Sequence, residues 1–285
     1  MNHDSPTAID HQLLEKQTRL LGLLKSLQEC VVAFSGGVDS AVVAKAAFLA
    51  LGQRAKAVMA VSPSVASGEV DQARMVANEI GIDFDLIETN ETTDPRYIQN
   101  DQRRCYYCKQ ELYQRLTDLA QRFPQATLLN GTNTDDLGDY RPGLEAASEQ
   151  GVLSPLIEAG LNKQEVRGLA KHWNLAVWDK PATPCLSSRI AYGEEVTPER
   201  LRMIDQAESF LKSFGLIELR VRYHRGDLAR IEVPENEILS FLTLAKSQQI
   251  EKHFQELGFR FVTLDLVGFR SGSLNTLVQI SASPS

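Results

Sequence analysis

The chain has 285 residues, 43% of them apolar, and carries 30 basic against 37 acidic side chains for a net charge of −7, which suggests one large domain or two small ones with ample material for a core. That acidic balance argues against a broad nucleic-acid footprint, and no stretch approaches the roughly 18 apolar residues that a membrane span needs. The start, Met1–Asp10, is polar and lacks the apolar core of a signal peptide, so the expectation is a soluble cytoplasmic protein with no nucleic acid and no membrane among its partners.

Leu13, Leu14, Leu20, Leu21, Leu24 and Leu27 recur at helical spacing across residues 11–28. Cys30-Val31-Val32-Ala33-Phe34 is wholly apolar, the pattern of a central parallel strand buried on both faces. The spacing then predicts a helix over 40–51, a strand over 55–61, a helix over 67–80 capped by Ser67, a strand over 84–88, a helix over 106–122 and a strand over 127–130. Asn162-Lys163-Gln164-Glu165 reads as a capping box opening a helix to Trp173, with a last short strand at Ala176–Trp178. The alternation argues for an α/β fold, a doubly wound parallel sheet, over residues 1–180. Residues 181–285 read as a smaller C-terminal α+β domain. They begin with a polar loop (180–196) and a helix opened by Thr197-Pro198. A hairpin (216–224 and 228–233) around Arg225-Gly226-Asp227 follows, then helix over 235–257 and a strand over 259–267. The last dozen residues are polar and read as loose.

The first strand ends in Ser35-Gly36-Gly37-Val38-Asp39-Ser40 and opens a helix. Gly36 and Gly37 permit positive φ and a close backbone approach. Free amides and the dipole at the helix start attract an anion, and Ser35 and Ser40 add hydroxyl donors. Ligands of open α/β sheets bind at this end of the strands. No Lys follows the second glycine, so this is not the Walker A pattern. A plain glycine turn is the alternative, against which strand, loop and helix agree.

There are four cysteines. Cys105 and Cys108 form a C-x-x-C at a helix start, suited to a redox pair, a zinc half-site or an iron–sulfur site. Cys185, in a polar loop, is the remaining candidate partner, and no fourth ligand completes a closed zinc site. Three thiolates fit an iron–sulfur cluster with one iron left open; three unligated thiols are the plain alternative. Arg104, Lys109 and Arg189 would favour thiolates. Cys30, at the start of a buried strand, reads as a small hydrophobe. A sulfur nucleophile beside a nucleotide loop suggests sulfur transfer.

Glu218 to His224 alternates: Leu219, Val221 and Tyr223 face one side, Arg220, Arg222 and His224 the other. Two arginines at i and i+2 make a phosphate clamp, with Arg225 and Arg230 adding charge, unless the face is merely solvated. Glu208, on the preceding helix, could pair with these arginines or contact a substrate.

Ser-Gly-Gly-x-Asp-Ser resembles the signature of the PP-loop ATP pyrophosphatases, over roughly residues 28–180. That resemblance implies a fold holding ATP at the first strand and cleaving it to AMP and pyrophosphate. It implies an ATP site at Ala33, Ser35, Gly36, Gly37, Asp39 and Ser40, with Val61 near adenine and Gly131 in the loop after the fourth strand. Mg2+ binding is the implied task of Asp39. A closer resemblance, to the LarE family of ATP-dependent sulfurtransferases, covers nearly the whole chain. It rests on Ala33–Ser40, Asp139-Tyr140-Arg141-Pro142-Gly143-Leu144, Ser187-Ser188-Arg189 with Tyr192-Gly193, Arg220-Val221-Arg222 with Ala229–Glu232, and Gly258-Phe259-Arg260 through Arg270-Ser271-Gly272. It implies a small-molecule mononucleotide substrate, pyridinium-3,5-biscarboxylic acid mononucleotide. One carboxylate is adenylated and its oxygen replaced by sulfur, on the way to the nickel-pincer cofactor of lactate racemase. By the same resemblance Cys185, Asp39, Arg189 and Glu208 take catalytic positions, and Arg220 and Arg222 hold the substrate phosphate. The three-cysteine branch implies a four-iron four-sulfur cluster on Cys105, Cys108 and Cys185; sacrifice of the Cys185 sulfur is the other route. A homo-oligomer, trimer or hexamer, is implied as well. The competing readings are a tRNA thiolation enzyme, an ammonia-using ligase of the NAD or GMP synthetase kind, and a non-catalytic nucleotide sensor.

Overall fold

The structure, a computed structural model, describes residues 11–120, 125–138 and 142–270. Met1–Asp10, the helix end expected at 121–122, Asp139-Tyr140-Arg141 and the tail from Ser271 lie outside the described residues.

In chain order the elements begin with α1 (His11–Lys25), β1 (Glu29–Ala33), α2 (Val38–Leu51), β2 (Ala55–Val61), α3 (Glu69–Ile80) and β3 (Asp83–Glu88). Next come α4 (Pro95–Ile98), α5 (Arg104–Ala120), β4 (Ala126–Leu129), α6 (Pro142–Glu149), α7 (Pro155–Glu158) and α8 (Lys163–His172). The chain then runs through α9 (Pro198–Lys212), β5 (Arg220–His224), β6 (Leu228–Glu232), α10 (Ile238–Ser247), α11 (Ile250–Leu257) and β7 (Phe261–Leu264). They form two compact units. Described residues up to Val61, with Gly68–Thr89 and Cys105–Thr183, make the first; Ser62–Ser67, Asn90–Arg104 and described residues from Pro184 onward make the second. The second unit is therefore assembled from three separate stretches, which a reading in contiguous domains does not anticipate.

The first unit holds a four-stranded parallel sheet in the order β3-β2-β1-β4. Val31, Val58 and Leu128 meet Tyr113 and Leu116 of α5 and Ala146 and Ala147 of α6 on one face. Cys30 and Val32, alternating to the other face, are equally buried, and α2 packs on β1 and β2. Cover on both faces explains why β1 reads as a continuous apolar run. Helix α2 is buried nearly all round, with Val42, Val43, Ala44, Ala46 and Ala47 at 0% exposure, as expected of a helix walled in by α1, α3 and α8. The capping box is present: Asn162 Oδ1 accepts from Glu165 N–H and Glu165 Oε2 from Asn162 N–H, both at 2.9 Å.

Two expectations fail in this unit. Gly68, in a left-handed conformation, caps α3 in place of Ser67, whose N–H and Oγ both donate to Asp205. Ala176–Trp178 is a turn, not a strand: Trp178 and Lys180 N–H close tight turns onto Leu175 and Val177, and Arg167 takes the Trp178 and Lys180 carbonyls. Leu153 bridges to Leu129 of β4.

The second unit carries a three-stranded sheet in the order β5-β6-β7, with β5–β6 antiparallel and β6–β7 parallel. The hairpin turns at Arg225-Gly226-Asp227, where Gly226 and Asp227 take positive φ. Thr197 caps α9, accepting from Arg200 N–H, with Pro198 at its first position. The expected single helix over 235–257 is two helices, α10 and α11, broken at Gln249 with φ 49°. In the polar loop at 180–196, residues 181–185 are exposed, whereas Leu186, Ser187, Arg189 and Ile190 are each at most 1% exposed.

Candidate active site

In the first unit, β1 delivers the chain through Ser35-Gly36-Gly37 into α2. Gly36 has φ +69°, and a Cβ there would lie 2.8 Å from the Cα of Ala73 on α3, so the turn needs glycine for both conformation and space. Gly37 offers no side chain to cap α2, which leaves the first-turn N–H groups directed at the loop, an anion-binding arrangement. Ser40 Oγ braces the loop, donating to the Gly37 carbonyl (3.1 Å) and accepting from Ser35 N–H (3.2 Å), while Ser35 is exposed. The loop after β4 closes on the same helix start, since a Cβ on Gly131 would sit 2.8 Å from Ser40 N.

Asp39, on the first turn of α2, is partly exposed. Its Oδ1 accepts from Asn133 Nδ2 (3.1 Å) and its Oδ2 from Lys163 Nζ (2.5 Å). Lys163 is the first residue of α8, and its N–H is fixed on Asp135 Oδ2 at 3.1 Å. In the sequence Lys163 is visible only as part of a capping box, and no lysine follows the second glycine of the loop; the fold supplies one from 124 positions away. Ala33 is the last residue of β1 and pairs with Val58, whereas β2 continues to Val61. The Val61 carbonyl accepts the Thr89 N–H at 3.1 Å.

The second unit gathers the other expected residues around the short 3-10 turn Leu186–Arg189. Arg189, 1% exposed, donates Nε and Nη2 to the two Glu208 oxygens (3.0 and 3.2 Å) and Nη1 to the Pro184 and Cys185 carbonyls. Glu208 Oε1 also accepts the Val221 N–H at 3.1 Å. Arg222, 5% exposed, pairs with Glu232 (2.9 Å) and donates to the Ser188 carbonyl (3.0 Å). Arg230 pairs with Glu232 and Asp265 and donates to His224 Nε2 (3.1 Å). The arginine face is thus an ion-paired interior rather than a solvated surface. Arg220 differs: it is half-buried, has no carboxylate partner among the described residues, stacks over Phe269 at 5.1 Å, and is held below the ordinary arginine range by burial and by the Arg189 charge.

Cys105 and Cys108 lie one turn apart at the start of α5, on one helical side; Cys105 and Cys185 are exposed. Among the described residues, no group of three or more His, Cys, Asp or Glu side chains is placed to hold a metal ion. Cys30 is buried, and burial pushes its thiol pKa up to about 12, in keeping with a core residue.

A parallel sheet whose first strand opens an uncapped, glycine-led helix start, backed by an acidic side chain and a lysine, defines an α/β nucleotide-binding protein of the PP-loop type. A family model described as NAD synthase matches residues 22–116, the stretch from α1 to α5 that contains the loop. The chain is 41% identical to the pyridinium-3,5-bisthiocarboxylic acid mononucleotide synthase of Lactiplantibacillus plantarum, over 92% of this chain and 95% of that one. An uncharacterized protein of Synechocystis sp. is 44% identical, over 93% and 99% of the two chains. An uncharacterized protein of Methanocaldococcus jannaschii is 27% identical over 90% and 98%. The chain belongs to the family of the pyridinium-3,5-bisthiocarboxylic acid mononucleotide synthase, the LarE family.

Proposed function

We propose that the protein is an ATP-dependent sulfurtransferase. It adenylates a carboxylate of pyridinium-3,5-biscarboxylic acid mononucleotide and replaces oxygen by sulfur, in biosynthesis of the nickel-pincer cofactor. The observation that carries this reading is the uncapped start of α2 behind the Gly36 turn, in a chain alike over nearly its whole length to a bisthiocarboxylic acid synthase. The first unit is the ATP domain and the second the substrate and sulfur-transfer domain.

In the first step the substrate carboxylate attacks the α-phosphorus of ATP, and pyrophosphate leaves. Amides of the α2 start and the Lys163 ammonium receive the charge on that leaving group. Asp39 is the carboxylate suited to Mg2+, a hard cation that takes oxygen ligands and neutralises phosphate charge; Lys163 then moves from Asp39 to phosphate. Val61 and Gly131 line the nucleoside. In the second unit Arg220, without a carboxylate partner among the described residues, makes the primary contact with the substrate phosphate. Arg222, already bound to Glu232, supports it. In the second step a carbon–sulfur bond forms at the acyl carbon, the carbon–oxygen bond to phosphate breaks, and AMP leaves with the electron pair.

Cys185 stands at the site of transfer, with Arg189 and Glu208 fixing its turn; where its own sulfur is given up, the Cys185 Cβ–Sγ bond breaks as the α-proton leaves and dehydroalanine remains, whereas a bound cluster would supply sulfide and leave the cysteine intact. Ligation of a four-iron four-sulfur cluster by Cys105, Cys108 and Cys185 remains the form suggested by the three-cysteine pattern, and no step above depends on it. A soluble, cytoplasmic homo-oligomer, trimer or hexamer, completes the proposal; no helix among the described residues is long and apolar enough to cross a membrane.

The test is pyrophosphate release from ATP and Mg2+ that depends on the carboxylated mononucleotide, on anaerobically purified protein assayed for iron and sulfide. Absence of substrate-dependent release would refute the function. A colourless protein that loses the mass of one hydrogen sulfide in a single turnover would establish sacrifice of Cys185 instead of the cluster.

A further inference from the structure

Three guanidinium groups grip the backbone of the turn that bears Cys185. Arg189 Nη1 takes the Pro184 and Cys185 carbonyls, Arg104 Nη1 the Ser187 carbonyl (2.9 Å), and Arg222 Nη1 the Ser188 carbonyl (3.0 Å). Each is a charge-assisted bond, roughly twice as strong as a neutral one. Tyr97 OH meets Ser187 Oγ at 2.6 Å, and Leu186 N–H donates to the Ser64 carbonyl at 2.9 Å. The backbone is fixed on every side while Cys185 itself is exposed. That arrangement holds a reactive side chain still and leaves it accessible.

Arg104 is itself immobilised. It is 6% exposed, bonds Asn100 Oδ1 at 2.5 Å and lies over the Tyr192 ring at 5.8 Å. Asn100 is fully buried at φ 55°, and its Nδ2 reaches the carbonyls of Ile190, Ala191 and Glu194. The 90–104 segment therefore braces the turn and the chain that follows it. Arg104 is also the first residue of α5 and directly precedes Cys105.

We propose that Arg104 is a positioning residue for sulfur transfer, fixing the Cys185 turn through the Ser187 carbonyl while leaving adenylation untouched. This rests on the sulfurtransferase reading above. Adenylation uses the Ser35–Ser40 loop, which makes no use of this tether. Sulfur transfer needs the sulfur in line with the acyl carbon, and a misplacement of about 1 Å costs about 10²-fold.

The full-length wild type, Arg104→Ala, Arg104→Lys and Tyr97→Phe are compared in three assays: substrate-dependent pyrophosphate release, thiocarboxylate formation by mass spectrometry, and amide hydrogen exchange across 186–190. Arg104→Ala is expected to keep pyrophosphate release and lose about 10²-fold in thiocarboxylate formation, with partial recovery in Arg104→Lys. Tyr97→Phe, which removes only a hydroxyl, shifts the same balance by less. Exchange at 186–190 rises about 10-fold in Arg104→Ala, while that of the Ser35–Ser40 loop stays as in the wild type. Parallel loss of both chemical steps in Arg104→Ala and Tyr97→Phe, or unchanged exchange at 186–190, overturns the proposal. A wild type that releases no pyrophosphate sinks the sulfurtransferase reading alone, and the exchange measurement then decides the tether by itself.

Discussion

Gly36 combines a positive φ with a neighbour that allows no Cβ: Ala73 Cα would stand 2.8 Å away. Gly36→Ala is therefore expected to cost about 1–3 kcal/mol of stability and to weaken ATP binding, read together by urea denaturation and nucleotide titration; an unchanged affinity would remove Gly36 from the site. His224 makes a second prediction. Burial, reinforced by Arg230, holds its pKa below the ordinary 6.5, and its Nε2 accepts from Arg230, which requires the neutral ring. As pH falls below 6.5 the unfolded chain takes up the proton first. The contribution to stability is present above that pH and lost as pH drops toward the folded-state pKa. Melting curves between pH 7.5 and 5 are expected to show that loss in the wild type and less of it in His224→Gln. At this scale the sequence was legible where a residue's role is local. Gly36, Asp39 and Ser40 announce themselves by the loop they stand in, and Cys30 by its apolar neighbours. Lys163 did not, because its partner Asp39 lies 124 positions away and only the fold brings them to 2.5 Å.

Helix starts were the most readable elements, because caps are short-range chemistry. Asn162 and Thr197 each cap as their sequences suggest. Asn162→Ala removes the half of the capping box made by its side chain and keeps the N–H bond to Glu165, and is expected to cost about 1 kcal/mol, measured by urea denaturation; a loss no larger than a few tenths would show that α8 is held by packing alone. Since Lys163 is the first residue of that helix, pyrophosphate release is expected to fall as well. Ser67 shows the limit. It has the right chemistry for a cap, but Asp205 on α9 claims both its N–H and its hydroxyl, and Gly68 takes the position. Ala176–Trp178 failed for a related reason: three apolar residues are too few to choose between strand and turn, and Arg167 on α8 decided by binding the carbonyls that follow. The arginine strand was placed correctly and its alternation held, but the face it presents is buried by Glu232 and Asp265, which periodicity alone does not distinguish from a solvated one.

For the whole molecule, a net charge of −7 and paired arginines predict no appreciable tRNA retention in a filter-binding assay at physiological salt; tight, salt-sensitive retention would favour a tRNA thiolation enzyme instead. The α/β class, the phosphate loop and the change of pattern near residue 180 were set by the sequence itself, because apolar periodicity, glycine and capping residues act within a few positions along the chain. Only the tertiary structure decided that 62–67 and 90–104 join the C-terminal unit. It also decided which arginines are committed to Glu208 and Glu232, and that Arg104 binds the Ser187 carbonyl in the turn that follows Cys185. Those outcomes depend on which distant groups share a buried space. There an unpaired charge or carbonyl is too costly to leave, and nothing local records the partner.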